Sequence, residues 1–449
     1  MKLDMDSMTK WQGILQKMGP RLTATDNHNR FIQFVKDQIT DLGFPIKRFP
    51  FTINRCIQDT YQLQNDTTGE SIPTLGPVPY SGITTSRGVS GPLRFYHAKN
   101  DSKMKGKIAV IKVNNLSLPT FLLLQKIAKY PNDARLAYKM RHPLVAATLV
   151  LNKIQAAKDN GAVAVILVWH KISAELAKDE VLPFTNGYLG IPGIWVHEQQ
   201  ASVLKKICQQ KTTVRLTMPG SYQTNMPTES FAVIIQGRQA DRQIFINTHT
   251  DGPNDIEENG SIALLTILKA IKDYHLQFEN TLVFGFTSGH FQIPQSGILG
   301  RQATSRLLRD FEADAASQNI SIKKVLGLTV EHLGGAEYVD DVKQGTLKLK
   351  SPYDPMYIYA SNKNNQDLVK NCQDAVKPHG QYFTLKPRKS SYFGEGQPLF
   401  QDGWPTISFI GMPLALCQYP SAKTEPNIEQ MYTQTNLIFR ILNAADKQL

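Results

Sequence analysis

The chain opens with an amphipathic pattern. The segment HNRFIQFVKDQITDL, residues 28–42, carries its apolar residues at helical spacing, and Gly43 follows where a helix of that length would end. The next segment, PIKRFPFTINRC, predicts a β-strand. The pattern therefore predicts a helix and then a strand, and both need packing partners from elsewhere in the chain.

A different pattern covers residues 93–220. The preceding stretch, 73–92, is rich in Pro, Gly and Ser, which predicts a linker or a crossing between domains. The segment KGKIAVIKV then predicts a short buried strand, VAATLVLNKIQAAKD a helix, and GAVAVILVW a second buried strand. Another strand and helix follow in IPGIWVHEQQASVLKKI. This succession predicts a separate inserted domain.

Strands alternate with helices from residue 229 to the end of the chain. Apolar strands such as RQIFINTHT and NTLVFGFTSGH are separated by helical patterns such as SIALLTILKAIKDY. Such alternation predicts an α/β fold with a mostly parallel mixed sheet and helices on both faces. Ligands of such sheets bind at the carboxyl ends of the strands. The candidate chemistry is therefore expected there.

Potential metal ligands follow three of these strands. Imidazole and carboxylate groups that converge from separate elements are the ligands that zinc sites need. The alternative is that these polar residues only mark the points where buried strands meet solvent. The candidates are His249 with Asp251, the acidic residues Glu257 and Glu258 before Asn259-Gly260, then His290, and finally Glu331 with His332.

These motifs resemble those of the di-zinc exopeptidases. A His-x-Asp after a strand, an acidic-Asn-Gly helix start and an acid-x-x-Gly at a later strand end are similar to the family of bacterial leucyl aminopeptidases, glutamate carboxypeptidase II and glutaminyl cyclases. The resemblance covers about 229–449, and the preceding segment resembles a protease-associated domain. Together, the two resemblances imply an N-terminal helix and strand at 1–75, a protease-associated-like insert at 76–222 and a zinc-exopeptidase-like domain at 223–449.

The resemblance assigns roles to four residues. It implies that His249 is the first metal ligand and that Asp251 orients it through a hydrogen bond. It places Glu258 where the family has an Asp that bridges two metal ions, and Glu331 where a further Asp ligand belongs. These positions keep the chemistry of metal ligands.

Two other positions depart from the family pattern. The family has two consecutive Glu residues after the third strand, a general base and a ligand, and Gly289 and His290 stand there in this chain. The family also has a His ligand near the C-terminus, whereas no His follows His379. Because Gly cannot accept a proton, another residue has to supply the base. Glu395, between two glycines, is the first candidate, and Glu257 is the second.

The resemblance thus implies a remodelled site with one or two zinc ions. Its expected ligands are His249, Glu258, His290, Glu331 and His332. The first functional interpretation is a metal-dependent, aminopeptidase-type hydrolase of peptides or related small amides. The alternative is a catalytically inactive, peptidase-like binding protein, which Gly289 and the missing C-terminal ligand favour. Cyclase chemistry is a third interpretation, because fold alone does not choose among them.

Charge and hydropathy exclude some partners. The net charge is +12, with 50 Lys and Arg against 38 Asp and Glu, but the basic residues are scattered among acids, so we expect no nucleic-acid partner. No apolar run reaches the roughly 20 residues of a membrane span. Protease-associated domains imply a secreted or endomembrane location, although the N-terminus shows no signal peptide and the location stays open.

Overall fold

The computed structural model describes residues 2–58, 60–97, 102–389 and 391–448. The N-terminal part forms two helices and one long strand: α1 (Met5–Lys17), α2 (Asp26–Asp41) and β1 (Ile46–Gln58). The Asp4 carboxylate accepts the backbone N–H of Ser7 and caps α1, and the Thr25 hydroxyl accepts that of His28 and caps α2. The amphipathic pattern therefore forms α2, and the strand follows it.

The next part of the chain forms mostly short elements. They are β2 (Gln62–Asn65), β3 (Gly76–Pro77), β4 (Val89–Phe95), β5 (Ile108–Asn114), β6 (Leu118–Pro119), α3 (Thr120–Leu123), β7 (Lys126–Tyr130), β8 (Lys139–Met140), α4 (Pro143–Leu149), α5 (Leu151–Asp159), β9 (Ala164–His170), α6 (Ala174–Ala177), β10 (Gly193–His197), α7 (Ala201–Gln210) and β11 (Thr213–Thr217). Seven of the strands build a sheet in the order β2-β11-β4-β5-β9-β10-β3. This sheet has its own core, in which Trp169 stacks on Trp195.

The last part alternates longer strands and helices. They are β12 (Gly220–Ile235), β13 (Gln239–His249), α8 (Gly260–Asp273), β14 (Asn280–Thr287), α9 (Ile293–Ser296), α10 (Thr304–Ser317), β15 (Lys323–Glu331), β16 (Glu337–Asp341), β17 (Thr346–Ser351), β18 (Met356–Ala360), α11 (Lys363–Val376), β19 (Tyr382–Leu385), α12 (Gln397–Gln401), β20 (Thr406–Gly411) and α13 (Ile428–Gln448). None of the helices in the described ranges is long and apolar enough to cross a membrane.

A nine-stranded mixed sheet forms the centre of this last part. Its order is β1-β12-β14-β13-β15-β20-β18-β19-β7, so β1 and β7 from earlier in the chain close its two edges. The neighbours β14, β13, β15 and β20 run parallel, and the pairs nearer the edges include antiparallel ones. The α/β fold class predicted from the sequence is thereby confirmed. The parallel strands bring the ends of β13, β14 and β15 to one edge of the sheet.

Helices cover both faces of the sheet. The helix α8 is buried along nearly its whole length and packs with α1, α2 and α13 against one face. On the other face, Leu307, Leu308 and Phe311 of α10 pack with Phe245 and Trp404. The seven-stranded part lies beside the carboxyl ends of the parallel strands, because its core includes Phe291, Leu416 and Cys417 from the last part. The residue boundaries 1–75, 76–222 and 223–449 stay predictions.

Candidate active site

Five buried side chains meet at the carboxyl ends of the parallel strands. His249 ends β13, Glu331 ends β15 and is followed by His332, His290 lies three residues after β14, and Glu257 lies in the loop before α8. Each is at most 4% exposed. Two triads of possible metal ligands, His249 with Glu257 and His290, and His249 with Glu331 and His332, have ligand atoms within 4.8 Å of one another. We call these five residues the strand-end cluster.

Backbone carbonyls orient two of the imidazoles. Nδ1 of His249 lies 2.9 Å from the carbonyl oxygen of Asp251, and Nδ1 of His332 lies 2.9 Å from that of Gly411. Each Nδ1–H therefore donates to a carbonyl, so the free Nε2 atoms face each other at 3.4 Å. Burial lowers the pKa of His332 to about 3 and that of His249 well below its usual value. Both imidazoles are neutral at pH 7, which is the form that binds a metal ion.

A close backbone approach lets His332 turn into the cluster. Its φ of +58° is in the left-handed region, which costs a non-glycine residue about 1–3 kcal/mol. Gly411 lies against it, because a Cβ at position 411 would be 2.3 Å from the carbonyl oxygen of His332. The surrounding structure therefore holds a strained backbone at this point, as functional sites often do.

The two carboxylates of the cluster keep an unpaired oxygen each. Oε1 of Glu331 accepts the backbone N–H of Glu395 at 2.6 Å, whereas its Oε2 has no hydrogen-bond partner among the described residues. Oε1 of Glu257 lies 3.6 Å from Nε2 of His332, and its Oε2 is also unpartnered. Burial raises the pKa of Glu331 to about 8 and that of Glu257 well above its usual value. Buried acids of this kind are stabilised when a cation binds.

His290 has a carboxylate partner instead of a carbonyl. Its Nδ1 lies 2.6 Å from Oε1 of Glu395, and its ring stacks on that of His249 with a centroid distance of 4.3 Å. Burial lowers the pKa of His290, but the hydrogen bond and the charges of Glu395, Glu257 and Glu331 outweigh it and raise the pKa to about 9. His290 is therefore cationic at pH 7, unlike the other two imidazoles.

The spacing of the second triad fits a zinc ion. Nitrogen and oxygen ligands of tetrahedral zinc lie about 3.4 Å apart. Nε2 of His249 and Nε2 of His332 are 3.4 Å apart, and Oε2 of Glu331 lies 4.0 and 3.9 Å from them. Shifts of a few tenths of an ångström would complete the coordination. Neutral imidazoles and an unpaired carboxylate oxygen are the donor set that zinc takes.

Glu258, which the resemblance places at the metal-bridging position, belongs to neither triad, and its role as a ligand stays a prediction. Its carboxylate forms a fully buried ion pair with Nε of Arg21, which precedes α2. The guanidinium also donates to the carbonyl oxygens of Leu15 and Asn254. The arginine thus neutralises Glu258 at the place where the family pattern expects metal ions. No motif signalled Arg21 in the sequence, since a single basic residue in a loop has no pattern.

The carboxylates of Asp251 and Glu395 bind backbone N–H groups, whereas the hydrogen bond expected between Asp251 and His249 is made by the backbone carbonyl of Asp251. The Asp251 carboxylate accepts the backbone N–H groups of Gly289 and His290 at 3.2 Å and that of Phe291 at 2.9 Å, while His249 uses only the backbone carbonyl of Asp251. Glu395 accepts the N–H of Thr304 at the start of α10 at 2.7 Å and that of Ala303, besides His290. Both carboxylate oxygens of Glu395 therefore bond to His290 and to the start of α10, and neither is free to act in the cluster.

Position 289 has no room for a side chain. Gly289 has a φ of +107°, and a Cβ there would lie 2.3 Å from Cβ of Ser296. The short helix α9, which carries Ser296, fills the space beside it. The glutamate that the family has at this position is therefore excluded by both the backbone conformation and the packing.

A largely apolar chamber of about 250 Å³ adjoins the cluster. Glu257, His290, Glu331 and His332 lie on its wall. Much of the remaining wall comes from the seven-stranded part and the segment around β7, with Leu123, Met140, Leu144, Val145 and Phe184. Phe393, Ile410, Met412, Leu416 and Cys417 of the last part also line it. These wall residues could not be identified from the sequence, because they come from segments far apart in the chain.

Comparison with known proteins identifies the fold. No protein-family model and no curated protein matches the sequence. Among solved structures, the chain is similar to an aminopeptidase from Aneurinibacillus sp. strain AM-1 (TM-score 0.65, 13% identity, 99% of this chain and 94% of that one). It is also similar to the zinc aminopeptidase BSAP from Bacillus subtilis (TM-score 0.66, 13% identity, 99% of this chain and 95% of that one). A third similar structure is a peptidase M28 precursor from Shewanella amazonensis SB2B (TM-score 0.64, 13% identity, 99% of this chain and 97% of that one).

The chain therefore has the zinc-aminopeptidase fold, the fold of the di-zinc exopeptidases that its motifs resemble. The similarity extends over almost the whole length of each neighbour, so the seven-stranded part is included in it. The recognition made from the strand-end motifs is confirmed at the level of the fold. At 13% identity, the activities of these neighbours remain properties of the neighbours.

Proposed function

We propose that the protein is a zinc-dependent hydrolase of peptide or related amide bonds that binds one zinc ion per chain through His249, Glu331 and His332. The observation that carries this proposal is the convergence of two carbonyl-oriented, neutral imidazoles on an unpaired carboxylate oxygen. Three protein ligands with an open fourth position are typical of catalytic zinc sites. The fold of peptidases supports the reaction class.

The proposal takes one ion rather than two for a chemical reason. His249 belongs to both triads, but its only free nitrogen is Nε2, because Nδ1 is bonded to the carbonyl of Asp251. An imidazole nitrogen binds one ion, whereas a carboxylate can bridge two. The carboxylate expected to bridge, Glu258, is paired with Arg21. The ligand roles expected for Glu258 and His290 are not part of this proposal, since Glu258 is paired with Arg21 and His290 does not belong to the triad of His249, Glu331 and His332.

Glu257 and His290 lie beside the triad, since Oε1 of Glu257 is 3.6 Å from Nε2 of His332 and the ring of His290 stacks on that of His249. A bound zinc ion would polarise the amide carbonyl and lower the pKa of a water molecule. Glu257, with its free Oε2, would accept a proton from the attacking water and pass it to the leaving nitrogen, since the charge of a bound zinc ion would lower the pKa that burial raises in this carboxyl group. His290, held by Glu395, would donate a hydrogen bond from Nε2–H to the carbonyl oxygen as negative charge develops there, and it keeps its proton when the intermediate collapses. The apolar chamber then accommodates a large apolar side chain of the substrate.

Zinc analysis tests the ligand set. We expect about one zinc equivalent per chain by mass spectrometry, lost in His249→Ala and His332→Ala. Glu257→Gln and His290→Gln should keep zinc and lose turnover, and Glu258→Gln, one residue along, should keep zinc in the folded fraction. Two equivalents, or loss of zinc in Glu258→Gln but not in Glu257→Gln, would favour the arrangement implied by the family motif.

Turnover tests the reaction. The zinc-loaded protein is assayed on aminoacyl anilides and a peptide library with free and acetylated N-termini, with Glu257→Gln as the matched inactive control. We expect chelator-sensitive release of residues with large apolar side chains. If the zinc-saturated protein releases no product from any substrate, the hydrolase proposal fails.

The second candidate function is binding without catalysis. It is favoured by Gly289, because the general base of the family is missing there and the space for it is filled by Ser296. It predicts that peptides raise the melting temperature of the zinc-loaded protein while mass spectrometry recovers them intact. Product formation that scales with protein concentration and vanishes in Glu257→Gln would exclude it.

A further inference from the structure

Exposed apolar side chains are concentrated in one stretch of the chain, residues 116–149. Of the fifteen large apolar residues that are exposed in the described ranges, six lie in this stretch, which is less than a tenth of the chain. Four of them are more than half exposed: Phe121, Leu122, Tyr138 and Leu149. Single exposed apolar residues are normal on a protein surface, whereas a group of them marks a site of interaction.

A backbone hydrogen bond brings three of these residues together. The N–H of Thr120 donates to the carbonyl of Tyr138 at 2.9 Å, and the strands β6 and β8 pair next to this bond. Phe121 and Leu122 follow Thr120 directly in the short helix α3. Phe121, Leu122 and Tyr138 therefore lie close together on the surface, although they come from separate segments.

Leu149 has an exposed apolar neighbour of its own. It lines a surface hollow of about 110 Å³ together with Leu116, and Lys112 and Lys153 lie on the wall of the same hollow. Leu116 lies two positions before β6, so a short piece of chain connects the hollow to the first group. We call these five residues the exposed apolar patch: Leu116, Phe121, Leu122, Tyr138 and Leu149.

The patch borders the wall of the apolar chamber. Three residues from the same stretch, Leu123, Met140 and Thr148, line the chamber. Leu123 follows Leu122, Thr148 precedes Leu149, and Met140 lies two positions after a patch residue. Thr148 is itself exposed to solvent. The chamber wall and the patch are therefore built from the same pieces of chain.

Positive charge surrounds the patch. Residues 112–153 contain seven Lys and Arg residues and one acidic residue, Asp133, so that about half of the net charge of +12 lies in less than a tenth of the chain. The basic residues are scattered among acids along most of the sequence, but not here. All seven basic side chains are exposed: Lys112, Lys126, Lys129, Arg135, Lys139, Arg141 and Lys153.

An anionic lipid surface matches both properties of the patch. Apolar side chains insert between lipid headgroups, and Lys and Arg residues near an anionic leaflet strengthen the binding. A second copy of the chain fits poorly, because it would bring two groups of positive charges together. A nucleic acid matches the charge but leaves the exposed leucines without apolar contacts.

We propose that the exposed apolar patch docks the protein on an anionic lipid surface. The patch side chains enter the headgroup region, and the seven cations bind anionic headgroups. Because the patch borders the chamber wall, docking holds the chamber beside the apolar phase of the lipid. The inference goes beyond the proposed function and does not depend on it, since docking needs neither zinc nor turnover.

Cosedimentation of the full chain with vesicles tests the inference. We measure binding to vesicles of phosphatidylcholine alone and of phosphatidylcholine with phosphatidylserine, at low and at high salt. We expect binding to the anionic vesicles that weakens about 10-fold or more without phosphatidylserine and falls with salt, because the cations lose their partners or are screened. His249→Ala, which the proposed function predicts to lack zinc, should bind equally, so failure of the zinc site and failure of docking are distinguishable.

One pair of substitutions tests the apolar contribution. Phe121→Ser/Leu122→Ser should weaken binding to the anionic vesicles about 10- to 100-fold, because two apolar side chains no longer leave water. The control is Ile320→Ser, since Ile320 is an exposed apolar residue near the amino end of β15, at the opposite edge of the sheet. It should bind as the wild type does.

A second pair of substitutions tests the charge. Lys112→Gln/Lys153→Gln should weaken binding about 10- to 30-fold. Lys363→Gln/Lys370→Gln, on the exposed face of α11, removes the same net charge elsewhere and should have no effect. All of these side chains are exposed, so the melting temperature of each variant should match that of the wild type.

Four outcomes would overturn the proposal. The first is a lack of binding to the anionic vesicles, which needs no variant, and the second is binding that Phe121→Ser/Leu122→Ser leaves unchanged. The third is an equal loss in both lysine pairs, because net charge alone would then explain the binding. The fourth is a patch already covered by another partner: a dimer in sedimentation equilibrium that Phe121→Ser/Leu122→Ser dissociates, or an oligonucleotide bound through Lys112 and Lys153 in place of vesicles.

Discussion

Arg21 and Glu258 form a fully buried ion pair beside the strand-end cluster. Nε of Arg21 donates to Oε1 of Glu258, and neither side chain is exposed to solvent. Asp255 lies further from the guanidinium, at 3.9 Å. Even with this arginine beside it, burial raises the pKa of Glu258 to about 7. An ion pair between two side chains of the protein therefore lies where the family motif has a carboxylate that bridges two metal ions.

Removing one member of this pair should destabilise the protein strongly. We expect Arg21→Met to lower the free energy of unfolding by about 3–5 kcal/mol, because it leaves Glu258 buried without its partner. The double variant Arg21→Met/Glu258→Met should lose clearly less than the sum of the two single variants. Urea unfolding followed by circular dichroism measures all three against the wild type. Additive losses would mean that the two side chains do not interact.

The contact between Glu395 and His290 should control the charge of that histidine. Burial lowers the pKa of His290, whereas Glu395, Glu257 and Glu331 together raise it to about 9, and Glu395 contributes most, so Glu395→Gln should lower this pKa. NMR titration of the metal-free protein measures the change, and Glu279→Gln, an exposed pair with Arg238, is the control. Turnover at pH 8 should fall about 10-fold or more while zinc is retained. An unchanged pKa of His290 would refute this coupling.

The packing around Gly289 should exclude even a methyl group. Gly289→Ala adds a strained φ and an overlap with Ser296, so we expect a loss of about 2–5 kcal/mol in the free energy of unfolding. Gly300→Ala is a matched control, because Gly300 has a φ of +72° but no atom within 4 Å of its Cβ position. It should lose only about 1 kcal/mol. Equal losses for both variants would show that the packing at Ser296 contributes nothing.

Sequence patterns were informative wherever one segment determines its own structure. The α/β fold followed from strands that alternate with helices, and the convergence of His249, His290 and Glu331 followed from the rule that parallel strands end at one edge. The predicted helix at 28–42 forms α2, which begins at Asp26 because Thr25 caps it. In these cases the local pattern and the tertiary fold agree.

The orientation of side chains could not be predicted in the same way. Glu257 and Glu258 are neighbours in the chain, but Glu258 pairs with Arg21, more than 230 residues away, whereas Glu257 belongs to the cluster. Glu395 looked accessible between two glycines, but the start of α10 and His290 take up its oxygens. Both outcomes depend on contacts between distant segments, which no local pattern encodes.

Burial of His28 should make stability depend on pH between 6.5 and 4. Its Nδ1 accepts the N–H of Ala24 at 3.0 Å, and its Nε2 lies 2.9 Å from the hydroxyl of Thr250, so the folded protein holds it neutral. Burial lowers its pKa from 6.5 to about 4; Asp251 acts in the opposite direction, and Arg21 and Arg55 lower it further. Between pH 6.5 and pH 4, His28 is therefore protonated in the unfolded chain but not in the folded chain.

The sign and size of the effect follow from linkage. The contribution of His28 to stability is complete above pH 6.5 and is lost as the pH falls towards 4, which amounts to about 2 kcal/mol between pH 7 and pH 5. We expect the difference in unfolding free energy between the wild type and His28→Gln to shrink by that amount over this range. Urea titrations at several pH values measure it, and loss of zinc in acid affects both proteins equally. A difference that stays constant from pH 7 to pH 5 would mean that His28 is protonated in the fold.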